Sequence, residues 1–137
     1  MRNASFYSIL NSEIAHSVKE PIDLEKELVT RGFPLASHGR IDWDKLSERN
    51  LYEVGDDHEA ADVIIKIIQD CKLTGQVMVV WSDAGINPVL MDIKIACKYA
   101  IQICEEDWDC WIISKSSNWV IEKYHEGEVC FASIGSI

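Results

Sequence analysis

Apolar residues are spaced at helical intervals in the first half of the chain and in strand-like runs in the second half. The clearest helical pattern repeats at i, i+3, i+4 and i+7, through Ala60, Val63, Ile64, Ile67, Ile68 and Cys71. It predicts a helix from about Asp57 to Cys71. Asp56, followed three residues later by Glu59, predicts an N-terminal cap with a capping-box partner.

Weaker helical patterns surround this one. A helix is predicted over residues 4–19, ended by Pro21, and a short one over 23–30 with Gly32 after its end. The loop 33–39 leads to a helical turn around 42–49. Another helix is predicted over 92–104, with Ile93, Cys97, Ala100, Ile101 and Cys104 along one side.

The strand signals lie in the second half. Residues 76–81 form a continuous apolar run typical of a buried strand, and residues 82–88 have turn composition. Strands are predicted over 110–114, 119–124 and 128–133, with a hairpin turn at Glu126-Gly127. In the strand 119–124, Trp119 and Ile121 share one face, and residues 120, 122 and 124 share the other.

These elements predict a single α+β domain over residues 1–137. Its helical N-terminal half packs on one face of a small, largely antiparallel sheet formed by the C-terminal half. The position of strand 76–81 stays open. It either runs parallel to 110–114 through a βαβ unit or lies at the far edge of the sheet.

Composition and charge narrow the function classes. The 137 residues are 47% apolar and 26% charged, which is typical of a globular protein. Net charge is −10, from 23 acidic against 13 basic residues. Phosphate binding needs clustered Lys and Arg, so this balance argues against nucleic acid or an anionic membrane as ligand. The N-terminus has no apolar leader pattern and no stretch has the length of a membrane span, so we expect a cytoplasmic protein.

The five cysteines are an odd number without a C-x-x-C pair or a nearby His at ligand spacing. This pattern argues against structural zinc and against a disulfide framework. Each cysteine lies in an apolar stretch, where we expect it to pack as a small hydrophobic residue.

No catalytic constellation is evident. The four histidines lie in different elements, and neither a nucleophile elbow nor a glycine-rich phosphate loop occurs. Asp83, just past the end of strand 76–81, is the best single candidate for catalysis or metal binding, although a turn-capping role is favoured. We therefore predict a non-enzymatic protein with no catalytic residue, cofactor or metal. A small metal-dependent hydrolase using Asp83 is the least favoured alternative.

The run Glu105, Glu106, Asp107, Trp108 and Asp109 is the predicted partner-binding surface. It follows a predicted helix, where the negative end of the dipole disfavours acidic residues by up to about 1 kcal/mol. Tryptophan is frequent at binding hot spots, and carboxylates around it would steer a basic partner. A solvated turn is the alternative interpretation. Acidic and aromatic residues also occur together at 42–44 and 122–126.

A resemblance adds a specific function. Residues 118–131 carry Trp119, then Glu122 three positions on, then Gly127, then an apolar-aromatic strand. This ending is similar to that of immunity proteins from bacterial polymorphic toxin systems, of the contact-dependent growth inhibition or colicin type. The resemblance implies cytoplasmic neutralisation of a cognate toxin domain, commonly a basic nuclease, through an acidic surface. An acidic adaptor or regulatory subunit is the alternative. The oligomeric state is not predicted.

Overall fold

The fold is a seven-stranded antiparallel sheet with helical layers on both faces. The computed structural model describes residues 15–17, 22–36, 40–83 and 85–134, and of 15–17 only the backbone. The strands run in the order β1-β4-β3-β5-β6-β7-β2, and every neighbouring pair is antiparallel. Their bounds are Ala15–Ser17 (β1), Asn50–Glu53 (β2), Gln76–Trp81 (β3), Val89–Asp92 (β4), Cys110–Ser114 (β5), Trp119–Tyr124 (β6) and Glu128–Ser133 (β7).

Four helices are described, and the two core clusters divide them between the faces of the sheet. Their bounds are Leu24–Thr30 (α1), Asp57–Asp70 (α2), Ile93–Lys98 (α3) and Ala100–Glu106 (α4). Helices α2, α3 and α4 cover one face, while α1 and the segment 33–46 cover the other. Burial on both faces explains why the central strands are nearly continuous apolar runs.

Several predicted elements are confirmed. Strands β3, β5, β6 and β7 have the predicted bounds, and α2 begins and ends within one residue of its prediction. Its cap is also present, since Asp56 Oδ1 accepts a hydrogen bond from the Glu59 amide at 2.8 Å. Helix α1 forms where it was predicted, and the turn at 42–49 contains one 3-10 turn, Trp43–Lys45.

The prediction of a helical N-terminal half packed on one face of a C-terminal sheet is wrong. Helices are interspersed with strands, and the first half supplies both edge strands, β1 and β2. Residues 15–17 are a strand where the helix 4–19 was predicted, and the rest of that helix lies outside the described residues. The loop residues 37–39 and the turn residue 84 also lie outside them.

The predictions for the middle of the chain also need correction. Strand β3 lies third from the β1 edge and pairs antiparallel with both β4 and β5, so neither proposed position was right. The predicted helix 92–104 is two helices, α3 and α4, which are separated by Tyr99 with φ −112° and ψ 25°. Strand β4, Val89–Asp92, precedes them; it was not predicted, and it lies between the predicted turn 82–88 and the predicted helix.

The β6–β7 hairpin turns through His125, Glu126 and Gly127. Gly127 has φ +92°, and a Cβ atom there would lie 2.8 Å from the carbonyl oxygen of Val54. Only glycine satisfies both conditions. The close approach lets the Val54 amide donate to Gly127 O at 2.8 Å, which joins this hairpin to the segment that enters α2.

None of the four described helices has the length and apolar character needed to cross a membrane.

Candidate partner-binding site

A cleft of about 570 Å³ opens where the first turn of α2 faces the last turn of α4. Three segments line it: 54–57 at the start of α2, 105–108 at the end of α4, and 123–125 with Gly127 in the hairpin. We call it the acidic cleft, because five carboxylate residues and a single lysine line it. The lining carboxylates are Asp56, Asp57, Glu105, Glu106 and Asp107.

The lysine explains how acidic residues are accommodated at the end of α4. Lys123 is buried, and its Nζ donates to the carbonyl oxygens of Cys104 at 2.9 Å and Asp107 at 3.2 Å. The same ammonium group pairs with Asp57 Oδ1 at 2.9 Å. A cation at the helix C-terminus offsets the negative end of the dipole. Lys123 thus joins the 105–109 turn to the start of α2 and fixes two walls of the cleft.

The five residues predicted for partner binding have different environments. Glu105 is exposed, and the Trp108 side chain is 72% exposed. Glu106 is buried, with 7% of its surface accessible. Asp107 and Asp109 are half-buried and accept hydrogen bonds from neighbouring turns. Glu105 and Trp108 are therefore the two members of the run that are exposed to a partner.

Asp107 holds the turn in place. Its Oδ2 accepts hydrogen bonds from Ser82 Oγ and from the Asp83 amide, both at 2.7 Å. Partial burial alone would raise the pKa of Asp107. Hydrogen bonds from Ser82 and from the Trp108 and Asp83 amides, with the charge of Lys123, outweigh it, so the pKa lies below its usual value.

Aromatic rings line the cleft beside these carboxylates. The centroids of Trp108 and His125 are 5.7 Å apart, and those of His125 and Tyr124 are 4.5 Å apart. Asp109 Oδ1 fixes His125 by accepting hydrogen bonds from its amide at 2.7 Å and its Nδ1 at 2.9 Å. The Arg40 guanidinium carbon lies 3.9 Å from the centre of the Tyr124 ring. We call this series of contacts, from Arg40 through Tyr124 and His125 to Trp108, the aromatic ladder. Its outer end is the exposed Trp108.

The other two segments that combine acidic and aromatic residues, 42–44 and 122–126, contact each other in the protein interior. The sequence analysis did not predict this contact. Glu122 is fully buried and accepts hydrogen bonds from the indole nitrogens of Trp43 and Trp111, each at 2.9 Å. It also accepts from Arg40 Nε at 2.6 Å and the Ile41 amide at 3.2 Å. The repeated pairing of Trp with acidic residues was the available signal, because a buried indole N–H needs an acceptor.

Asp83 has the turn-capping geometry, since its Oδ1 accepts from the Gly85 amide at 2.7 Å. Within the described ranges, no three His, Cys, Asp or Glu side chains are grouped to hold a metal ion. Of the histidines, His58 and His125 lie in described segments, at the start of α2 and in the ladder; the His16 side chain and His38 do not.

The cysteines are free thiols, and three of them are buried as expected: Cys104, Cys110 and Cys130. Burial raises the pKa of Cys130 to about 12. A hydrogen bond with Cys104, together with burial, raises the pKa of Cys110. The expectation fails for Cys71, which is exposed after α2.

The comparisons with known proteins do not assign the chain to a family: no protein-family model matches it, and no curated protein matches it.

Proposed function

We propose that this protein is a non-enzymatic inhibitor that binds a basic protein partner through the acidic cleft. The observation that carries the proposal is the exposed Trp108 beside a cleft lined by five carboxylates and one lysine. An exposed indole contributes large contact area at low entropic cost, and the surrounding charge attracts a basic surface. With the resemblance of residues 118–131, these features favour an immunity protein that neutralises a cognate toxin domain in the cytoplasm.

Co-expression with the cognate toxin tests this function. We expect the gene immediately upstream to encode a large secreted protein with a C-terminal toxin domain. Cells producing that domain should grow when they also contain this protein. Glu105→Lys combined with Trp108→Ala should abolish protection and weaken the purified complex by at least about 2 kcal/mol, roughly thirtyfold in Kd.

A matched control comes from the same molecule. Asp70→Lys makes the same charge reversal at the other end of α2, about 20 Å from Asp57 for a helix of this length. Val29→Ala truncates an exposed apolar side chain on α1, which packs on the opposite face of the sheet. This double variant should protect as well as the wild type. No complex at low salt, or an affinity indifferent to Glu105→Lys and Trp108→Ala, would refute the proposal.

A further inference from the structure

The protein binds one of its own arginine side chains, Arg40, and the contacts of Arg40 show which groups hold a guanidinium in this fold. The guanidinium carbon lies 3.9 Å above the centre of the Tyr124 ring. Its Nε pairs with Glu122 at 2.6 Å, and one terminal nitrogen pairs with Glu128 at 2.6 Å. The site therefore combines one aromatic face with two carboxylates around a planar cation.

The outer end of the aromatic ladder offers the same components, and no arginine stands among the described residues that line the cleft there. Trp108 ends the ladder that Arg40 begins, with Tyr124 and His125 between them. The exposed residues Glu105 and Asp56 line the same cleft as Trp108, and Asp56 accepts the hydrogen bond of the Glu59 amide through Oδ1 alone, so its Oδ2 is not used by the cap. Lys123 also lines the cleft, but its ammonium is held by two carbonyls and Asp57.

We infer that the acidic cleft is a recognition site for an arginine side chain of the partner, stacked on Trp108 and paired with Glu105 and Asp56. This inference rests on the proposed function and specifies the chemistry of the partner's contact. Arginine fits better than lysine because its guanidinium is planar and weakly hydrated, so it stacks on an indole while bridging two carboxylates. A lysine ammonium is a compact point charge that is costlier to dehydrate.

Labelled peptides test the selectivity without the partner. Fluorescence anisotropy at low salt would compare arginine, lysine and citrulline peptides of one length and spacing. The arginine peptide should bind about two- to fivefold tighter than the lysine peptide, as a stacked cation requires. The citrulline peptide, which has the planar shape without the charge, should bind far more weakly than either.

Variants assign the binding to the cleft. Trp108→Ala should remove the preference for arginine, and Trp108→Phe should restore part of it because an aromatic face returns. Glu105→Gln should weaken both basic peptides, whereas Asp70→Asn should leave both unchanged. Circular dichroism would verify that each variant is folded.

Two results would overturn the inference. One is equal binding of the arginine and lysine peptides, which removes the arginine assignment but leaves a cationic partner and the proposed function intact. The other is a preference for arginine that survives both Trp108→Ala and Glu105→Gln, which places the site elsewhere. The proposed function itself is tested separately, by co-expression with the toxin domain and by the affinity of the purified complex.

Discussion

At the scale of single residues, Glu122 organises the face of the sheet that α1 covers. Its carboxylate has no solvent exposure and accepts hydrogen bonds from Arg40, Ile41, Trp43 and Trp111. Residues 40–43 have no strand of their own, so this carboxylate ties them to β5 and β6. Replacement of this carboxylate removes one of the two ion pairs of Arg40 and the acceptor of three further buried N–H groups.

Glu122→Gln should therefore destabilise the protein by about 3–5 kcal/mol, since a buried ion pair is broken and buried indole donors lose a charged acceptor. The partly exposed Glu128 pairs with the same arginine, so Glu128→Gln should cost less than about 1 kcal/mol. Urea unfolding followed by circular dichroism measures both free energies. Equal losses for the two variants would contradict the assignment of Glu122 as the central acceptor.

Asp107 makes stability depend on pH, because its pKa is lower in the folded protein than the ordinary value of about 4. A carboxyl group whose pKa is lowered on folding stabilises the folded protein at pH values above its unfolded pKa. This contribution is lost as the pH falls through the folded pKa. The difference in unfolding free energy between wild type and Asp107→Asn should be constant at neutral pH and should shrink below about pH 4. Asp70→Asn, at an exposed position on α2, is the matched control. A difference for Asp107→Asn that stays constant down to acid pH would contradict the hydrogen-bonded carboxylate.

At the scale of elements, the contact of Lys123 with the end of α4 determines the shape of the cleft. Lys123→Met keeps most of the side-chain length but removes the donors to Cys104 O and Asp107 O and the pair with Asp57. We expect a loss of about 2–3 kcal/mol in urea unfolding, since hydrogen bonds from a charged group are lost in a buried place. Acrylamide quenching of tryptophan fluorescence should also change, because Trp108 lies in the released turn.

Lys66→Met is the control for that experiment, because Lys66 is exposed on α2. It should alter neither the free energy of unfolding nor the quenching. A Lys123→Met protein as stable as Lys66→Met would show that the ammonium group is not needed at the end of α4.

Elements with a strong local pattern could be predicted from sequence, and those that depend on neighbours could not. Helix α2 and strands β5–β7 carry uninterrupted periodicity or apolar runs. Strand β2 is four mostly exposed residues that are extended because they pair with β7. In the site, the sequence pattern selected the run 105–109, but it could not separate the exposed Glu105 and Trp108 from the buried Glu106. The role of Lys123 depends on contacts with residues 16 to 19 positions away, for which no local signal exists.

At the scale of the whole molecule, clustered acidic charge has two opposite consequences. The net charge of −10 repels itself within the folded chain, which lowers the stability of the compact state at low ionic strength. The same charge, concentrated at the cleft, attracts a basic partner from a distance. Salt screens both interactions, because the Debye length falls from about 30 Å at 0.01 M to about 8 Å at 0.15 M.

Added sodium chloride should therefore raise the free energy of unfolding and lower the affinity for a basic partner. Asp70→Lys changes the net charge by two units, from −10 to −8, away from the cleft. It should weaken the effect of salt on stability and leave the effect of salt on binding nearly unchanged.

Glu105→Gln should mainly weaken the effect of salt on binding, because one carboxylate of the cleft is lost. Urea unfolding and binding titrations over one salt series measure both slopes. The cleft would not act independently of the overall charge if salt changed stability and affinity in the same direction. The same conclusion would follow if each variant altered both salt dependences equally.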